Sequence, residues 1–324
     1  MTIADETEKT ESYGRTERGP SALDGQRMLS DPELVERSRR PGPIQRLRNI
    51  WEYRELLRNL VRLQLKVKYK NSVLGFLWSL LNPLLYLVIF TFVFTVVQPA
   101  GIKDFAVFLL SGLLAWNLFS TSLGEGTNAI VHNSSLVKRV WFPREILPLA
   151  GIGAALVHFF LQMIVLVSAM LYFQRAPAWV DVPVLLMALA VLLLLATGMA
   201  LILGAVNVYL RDTGHLLELV LLAWFWLSSI VYSFHGLRIN FEKKGWNPDL
   251  LLLNPMVAVI TTFQRVIYNP QKADEITPGV GVLPDVGIMW YVRNLSIVGA
   301  FAIALLFVGL HVFGRLEDNF AEEI

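Results

Sequence analysis

Few side chains in this sequence could carry out covalent chemistry. It contains no G-x-x-x-x-G-K-[ST] loop or other phosphate-cradling glycine run, and no H-E-x-x-H or G-x-S-x-G motif. It also has no cysteine, which excludes disulfides and thiolate-bound metals. Three loop carboxylates, Asp274, Glu275 and Asp285, have no recognisable catalytic spacing. The sequence therefore predicts no cofactor or metal in this chain, and any active transport would draw its energy from a partner or an ion gradient.

Polar and small residues inside the apolar segments indicate contacts between helices. His158 and Gln162 lie one helical turn apart, where they could relay protons or, more simply, hydrogen-bond to a neighbouring helix. Ala196, Ala200 and Gly204 recur every four residues and so share one helix face. This small-residue face predicts tight helix packing.

The segment NSSLVKRVWFPREILPLA, residues 133–150, mixes apolar and cationic side chains. Trp141 and Phe142 stand between cations in a stretch that Pro143 and Pro148 make stiff. Such a segment could insert into a groove on a soluble protein. The alternative is a membrane anchor with cations on the inner side and an aromatic pair in the interface.

Aromatic residues in the apolar segments form a second candidate surface. Tyr86, Phe90 and Phe94 share one helix face. A second group, in the fifth apolar run, consists of Trp224, Phe225, Trp226 and Tyr232. Aromatic faces can stack on sugar rings and could guide a glycan, although they also serve as lipid-facing bulk and interface belts.

A cationic amphipathic segment precedes the first apolar run. From Arg46 to Lys70 there are eight Lys or Arg against two Glu, and Arg54, Arg58, Arg62 and Lys66 recur every four residues. A helix with this pattern lies in the interface of an anionic membrane. We therefore predict a disordered tail over 1–43 and an amphipathic interface helix over 44–70.

The composition places the chain among all-α integral membrane proteins. Its 324 residues are 55% hydrophobic and 17% charged, and the mean hydropathy is +0.52. Six charge-free runs are close to the length that crosses a bilayer: Val73–Val97, Phe105–Leu123, Ile146–Phe173, Val182–Leu210, Leu219–Leu237 and Asn294–Gly314. A further run, Leu250–Gln264, is too short and predicts a re-entrant or interfacial element.

The basic residues of the short loops set the orientation. The basic stripe and five further cations mark the inner face, whereas the short outer loops hold only Lys103 and Arg175. We therefore expect a multi-pass membrane protein with a membrane domain over 73–314. Both termini, including residues 315–324, are expected in the cytoplasm.

These segments, in this order, resemble the ABC-2 type permeases that export polysaccharides such as O-antigen and teichoic acid. The resemblance spans nearly the whole chain beyond residue 50. It is carried by KYKNSVLGFLWSLLNP (68–83), FLLSGLLAWNLF (108–119), LVKRVWFPREILPLA (136–150), NVYLRDTGHLLELVL (207–221), LLLNPMVAVITTFQRVIYN (251–269) and FGRLEDNFAE (313–322).

The resemblance implies two copies of this chain working with two ATPase subunits, which would bind ATP and Mg²⁺. The cargo would be a polyprenyl-diphosphate-linked polysaccharide, and no nucleic acid is involved. Residues 136–148 would form a coupling helix against the ATPase, and 238–293 would hold short outer gate helices. The expected coupling residues are Leu136, Lys138, Arg139, Trp141, Phe142, Pro143, Arg144 and Glu145.

The same resemblance assigns a substrate path. The first and fifth helices would line a channel through Tyr86, Phe90, Phe94, Trp224, Phe225 and Tyr232, and the diphosphate would be met by Arg62, Lys66, Lys68 and Lys70. The family's fifth helix usually carries Ser-Pro near its outer end. This chain has Ser228-Ser229 there, so no proline kink is expected. The long tail and the RVWFPRE string suggest an actinobacterial member, an exporter of cell-wall galactan.

Two rival functions remain at this point. An ion-coupled flippase would need buried charges within the spans, and these are scarce. A membrane-embedded glycosyl- or acyltransferase would need a carboxylate or histidine cluster at one membrane face.

Overall fold

The computed structural model describes residues 42–70, 77–97, 101–268, 281–284 and 286–324. Helices joined by turns make up these ranges, and no strand occurs within them. Nearly all of the predicted tail, the start of the first apolar run and the carboxylates Asp274, Glu275 and Asp285 lie outside the described residues.

The interface segment forms two helices instead of one. Helix α1 spans Pro43–Glu52 and α2 spans Arg54–Tyr69, with the break at Tyr53. Both helices are amphipathic: Leu60 of α2 is buried, whereas the cations on the other side of that helix are exposed. Helix α2 packs along the helix that begins at Ile146.

Four helices are long and apolar enough to cross a membrane. They coincide with the predicted second, third, fourth and sixth runs. The helices of the second and sixth runs extend beyond the predicted ends, and those of the third and fourth runs end one residue short. These helices are α4 (Phe105–His132), α6 (Ile146–Tyr172), α7 (Val182–Tyr209) and α11 (Ile288–Leu316). We call these four helices the central block, because α7 packs along both α11 and α4, and α4 packs along α6.

The central block is packed through glycine. A Cβ atom at Gly126 of α4 would lie 2.6 Å from the Cβ of Ala200 on α7. A Cβ at Gly204 would lie 3.0 Å from the carbonyl oxygen of Gly126. The small-residue face predicted from Ala196, Ala200 and Gly204 is therefore confirmed, since Ala200 and Gly204 lie at a close contact between α4 and α7.

The first and fifth apolar runs form shorter helices beside the central block. Helix α3 covers Leu77–Phe92, contains Pro83 and continues as a π-helical turn over Val93–Val97. Helix α8 covers only Thr213–Trp226. Short connecting helices complete this part of the chain: α5 (Ser134–Arg139), α9 (Phe234–Lys243), α10 (Pro255–Ile267) and α12 (Phe320–Glu323).

The fifth run breaks without a proline, so the prediction of one membrane helix over Leu219–Leu237 is wrong in its second half. The chain leaves the helix after Trp226, and Ser229 has a positive φ of 41°. Asn254 holds the break: its Nδ2 donates to the Leu227 carbonyl (3.1 Å), and its Oδ1 accepts from Trp224 Nε1 (2.8 Å). The Asn254 side-chain amide therefore satisfies the Leu227 carbonyl, which the helix end leaves without a partner, and also binds the Trp224 indole N–H.

The short run before the sixth span forms a buried helix. Asn254 caps α10 by accepting from the Met256 backbone N–H (3.0 Å), and Pro255 occupies its first position. Every residue from Met256 to Ile267 is buried. With 13 residues, α10 is too short to cross a bilayer. It packs inside the molecule against α4, α7 and α11.

Candidate coupling surface and aromatic face

The segment with Trp141 and Phe142 is helical only in its first part. Helix α5 ends at Arg139, and Val140 is extended (φ −129°, ψ 136°). The prediction of one helix over 136–148 is therefore wrong for its central part. Pro143 opposes a continuous helix, because it disfavours the helical conformation of Phe142 before it and has no N–H to donate to the preceding turn.

This geometry separates the two aromatic residues of the segment. Trp141 is 85% exposed, and Val140, Lys138 and Arg139 beside it are exposed as well. Phe142 is only 5% exposed. The segment thus offers one large aromatic side chain and two cations to a partner, while its second aromatic residue fixes the segment to the rest of the molecule.

Phe142 belongs to an apolar cluster that joins distant parts of the chain. The cluster also contains Leu60 of α2, Val137 of α5, Phe313 of α11 and Phe320 of α12, all buried. Phe313 and Phe320 meet edge to face, with ring centroids 5.4 Å apart. The exposed part of the segment is therefore mounted on a packed base to which α2, α4, α6, α7, α11 and α12 all contribute buried residues.

A buried arginine closes this base from the N-terminal side. Arg46 of α1 donates hydrogen bonds to two carboxylates. Its Nη1 donates to Glu145 Oε1, and its Nη2 donates to Glu317 Oε1. Arg46 and Glu145 are almost completely buried. Arg144 in turn donates to the Glu317 backbone carbonyl and lies over the Phe320 ring. We call Arg46, Glu145, Glu317 and Arg144 the inner ion cluster.

A glycine makes room for the Arg46 guanidinium. A Cβ atom at Gly314 of α11 would lie 2.6 Å from Arg46 Cζ. Burial by itself lowers the pKa of Arg46, but its hydrogen bond to Glu317 and the negative charges of Glu145 and Glu317 raise that pKa above its ordinary value. The inner ion cluster therefore keeps Arg46 charged while joining α1, the segment before α6 and the chain after α11.

The sequence reading included Glu145 and Arg144 in the candidate surface but missed Arg46 and Glu317. Arg46 looks like one more cation of the basic stripe, and Glu317 looks like a solvated residue beyond the last span.

The four cations assigned to the diphosphate lie along or just beyond α2. Arg62, Lys66, Lys68 and Lys70 are all exposed. Lys68 Nζ lies 3.8 Å from Glu125 Oε1 on α4. These four residues form an exposed row along this part of the chain.

The aromatic face brings the first and fifth apolar runs together, as the resemblance implied. Tyr86, Phe90 and Phe94 stack along α3 with centroid separations of 5.9 Å and 6.2 Å. Phe90 also stacks on Phe225 of α8 at 6.5 Å. The structure thus joins α3 and α8 through an aromatic contact.

The aromatic face continues inward to the central block. Phe225 meets Trp116 of α4 edge to face (5.8 Å), and Trp224 meets Phe119 in the same way (5.2 Å). Tyr232 lies beyond the helix break, and its hydroxyl donates to the Trp226 carbonyl. Much of this aromatic surface is half-buried, with Tyr86 the most exposed of the stacked α3 rings.

Interhelical hydrogen bonding explains the polar pair of the third run. His158 Nδ1 lies 2.9 Å from the Tyr69 hydroxyl of α2. Asn117 Nδ2 of α4 donates to Gln162 Oε1 at 3.3 Å. His158 and Gln162 therefore join α6 to two different helices, as the simpler of the two sequence readings predicted.

Comparison with known proteins places these features in context. A family model described as ABC-2 type transporter matches residues 55–268. An O-antigen export system permease protein of Myxococcus xanthus is 34% identical, over 87% of this chain and all of that protein. Another from Klebsiella pneumoniae is 28% identical over 83% of this chain and 94% of that protein. A polysialic acid transport protein of Escherichia coli is 24% identical, over 79% of this chain and 91% of that protein.

Proposed function

The chain belongs to the ABC-2 type transporter family, and we propose that it is the membrane permease of an ATP-driven polysaccharide exporter. The cargo would be a polysaccharide on a polyprenyl diphosphate carrier, moved across the inner membrane. Relatives named as O-antigen and polysialic acid transport proteins support the substrate class. This chain itself would make and break no covalent bonds.

We further propose the complete topology. Helices α3 and α8 would count as spans beside the four long helices, giving six, with both termini in the cytoplasm. The charge asymmetry of the short loops supports this orientation. The segment with Trp141 then faces the cytoplasm, where an ATPase could reach it. Helices α9 and α10, with the chain between them, would stand at the outer gate.

The observation that carries this proposal is the exposed Trp141 on a buried base. A large aromatic side chain beside Lys138 and Arg139 is the kind of anchor that dominates protein interfaces. Two ATPase subunits, each against one permease copy, would close on binding ATP and displace this segment. Because Phe142 and the inner ion cluster fix the segment, its movement would be passed to α1, α6 and α11.

The path for the glycan would run between two copies of the chain. Helices α3 and α8 would line this path. They carry the aromatic face and expose many large apolar side chains. The row Arg62, Lys66, Lys68 and Lys70 would attract the diphosphate before the lipid-linked sugar reaches that path.

Replacement of Trp141 tests the proposal. We expect Trp141→Ala to leave membrane insertion and stability unchanged but to reduce the ATPase retained by the solubilised permease by about tenfold or more. Lipid-linked polysaccharide should then accumulate inside the cell. Phe142 is unsuitable as a probe, because its burial would mix loss of folding with loss of docking.

Trp179→Ala is the matched control, since Trp179 is also exposed but would lie on the outer side. Full ATPase retention by Trp141→Ala, or an equal loss in the control, would contradict the proposal. The chain has no cysteine, so Trp141→Cys also gives a unique thiol. Labelling of that thiol only from the outer side would overturn the orientation.

A further inference from the structure

A cleft lies between the interface helix and the central block, away from the aromatic face. It includes Lys68 of the cationic row and reaches Asn133 at the start of the coupling segment. It has a volume of about 390 Å³ and is bounded by α2, α4 and α6. Leu63 and Val67 of α2 contribute exposed apolar surface at this site. Gln64, Lys68 and Glu125 contribute polar groups. The cleft therefore combines apolar walls with a small set of polar groups, the usual composition of a ligand site.

The charges in the cleft are opposite in sign and only loosely paired. Lys68 Nζ and Glu125 Oε1 are 3.8 Å apart, beyond the length of a hydrogen bond. Their side chains are 48% and 43% exposed. A ligand with one negative and one positive group could therefore bind both residues without breaking a strong ion pair.

Gln64 adds an acceptor that the described residues leave unsatisfied. Its Oε1 atom is buried and has no hydrogen-bond partner among them. A buried acceptor without a donor is unfavourable, so a ligand that brings an N–H or O–H group to this point is favoured. Together with the Glu125 carboxylate, Gln64 makes the cleft a site for a hydrogen-bond donor.

We propose that this cleft binds the headgroup of phosphatidylethanolamine. The ammonium group would donate to Glu125 and to Gln64 Oε1, and the phosphate would accept from Lys68. The acyl chains would run over the exposed apolar surface of Leu63 and Val67. An amphipathic helix beside membrane-length helices is where a phospholipid headgroup is available.

The same groups discriminate against other common phospholipids. The ammonium of phosphatidylcholine carries three methyl groups and no N–H, so it would leave Gln64 Oε1 without a donor. Phosphatidylglycerol has hydroxyl donors but no positive charge, and Glu125 would be left facing a net anion. The proposed site is thus selective for a zwitterion that can donate hydrogen bonds, and it requires no particular cargo or direction of transport.

Native mass spectrometry of the full purified chain tests this proposal. The protein would be offered phosphatidylethanolamine, phosphatidylcholine and phosphatidylglycerol with identical acyl chains. We expect phosphatidylethanolamine to bind about tenfold more tightly than either. Glu125→Gln should reduce its binding by about tenfold and leave phosphatidylglycerol binding no weaker, whereas Lys68→Gln should weaken both.

Two substitutions on the exposed part of α2 serve as controls. Glu55→Gln and Arg58→Gln remove one charge of each sign outside the cleft and should leave lipid preference unchanged. Equal binding of the three lipids, or tighter binding of phosphatidylglycerol, would overturn the proposal. So would an equal loss in the controls, since that would indicate nonspecific attraction to the helix. Thermal unfolding of each variant establishes that it is folded.

Discussion

The central block and the α3–α8 pair are both apolar, but they are packed very differently. Among the four membrane-length helices, α4 is the least apolar, yet it is the most buried. Glycines at its contacts allow the neighbouring backbones to approach closely: Gly126 of α4 faces Ala200 of α7, and Gly151 of α6 faces Glu125 of α4. Hydropathy therefore identifies which segments enter the membrane, while the placement of small residues decides which of them form the interior.

The α3–α8 pair lacks this close packing. Both helices expose large apolar side chains along much of their length. A groove of about 820 Å³, lined mainly by apolar side chains such as Leu84, Val88 and Ile164, separates α3 from α6. Helix α3 ends in a π-helical turn, and α8 ends at a break held by Asn254. The pair therefore offers faces for a second copy or for lipid, while the central block provides the scaffold.

The largest expected effect comes from removing the charge that fastens the interface helix to the central block. In Arg46→Met, Glu145 and Glu317 would lose the guanidinium that binds both carboxylates. Breaking a buried ion pair in this way costs about 3–5 kcal/mol. We expect the free energy of unfolding in mixed micelles to fall by that amount.

Arg48→Met provides the matched control for Arg46. Arg48 lies on the same helix but is 74% exposed, and its pairing with Glu52 at 3.4 Å is on the surface. We expect a change within about 0.5 kcal/mol. Similar losses in the two variants would mean that the inner ion cluster contributes no more than a surface pair.

A medium effect on the free energy of unfolding is expected from Gly126 of α4. An effect of the opposite sign is expected from its control, Gly124 of the same helix. Gly126→Ala places a Cβ 2.6 Å from the Cβ of Ala200, and such overpacking costs about 1–3 kcal/mol. Gly124→Ala meets no atom within 4 Å and should stabilise the helix by about 0.5–1 kcal/mol. Unfolding measurements that give the same sign for both would contradict the glycine-packed interior.

The smallest effect is expected at the contact between α3 and α8. A double-mutant cycle of Phe90→Ala and Phe225→Ala should give a coupling energy of about 0.5–1.5 kcal/mol, the range for an aromatic pair. The same cycle with Phe92→Ala, an exposed residue of α3, should give none. Equal coupling in both cycles would show that the aromatic stack does not join the two helices.

Much of the fold was predictable because length and hydropathy depend on local sequence. The four long helices follow the charge-free runs that predicted them, and the Ala196–Ala200–Gly204 face predicted the close helix contact. The break after Trp226 was not predictable in this way. It depends on the Asn254 side chain, which is distant in sequence and reaches the helix end only in the folded molecule.

The candidate site was predictable in its location but not in its exposure. From the sequence, Trp141 and Phe142 were predicted to form one surface, because no local pattern indicates which of two adjacent aromatic residues is exposed. Pro143 disfavours a helical backbone at Phe142, and the packing of Phe142 against distant helices decides which ring faces outward. Arg46 was overlooked for the same reason, since its two carboxylate partners are 99 and 271 residues away in sequence.

The mutual contact of Gly198 and Gly309 restricts how this chain can diverge. A Cβ at Gly309 would lie 2.7 Å from the Gly198 carbonyl oxygen, and a Cβ at Gly198 would lie 2.9 Å from the Leu306 nitrogen. Because both obstacles are backbone atoms, neither glycine can gain a side chain unless α7 and α11 move apart. Descendants should therefore keep both residues or exchange them together, which makes this pair a useful landmark for aligning distant homologues.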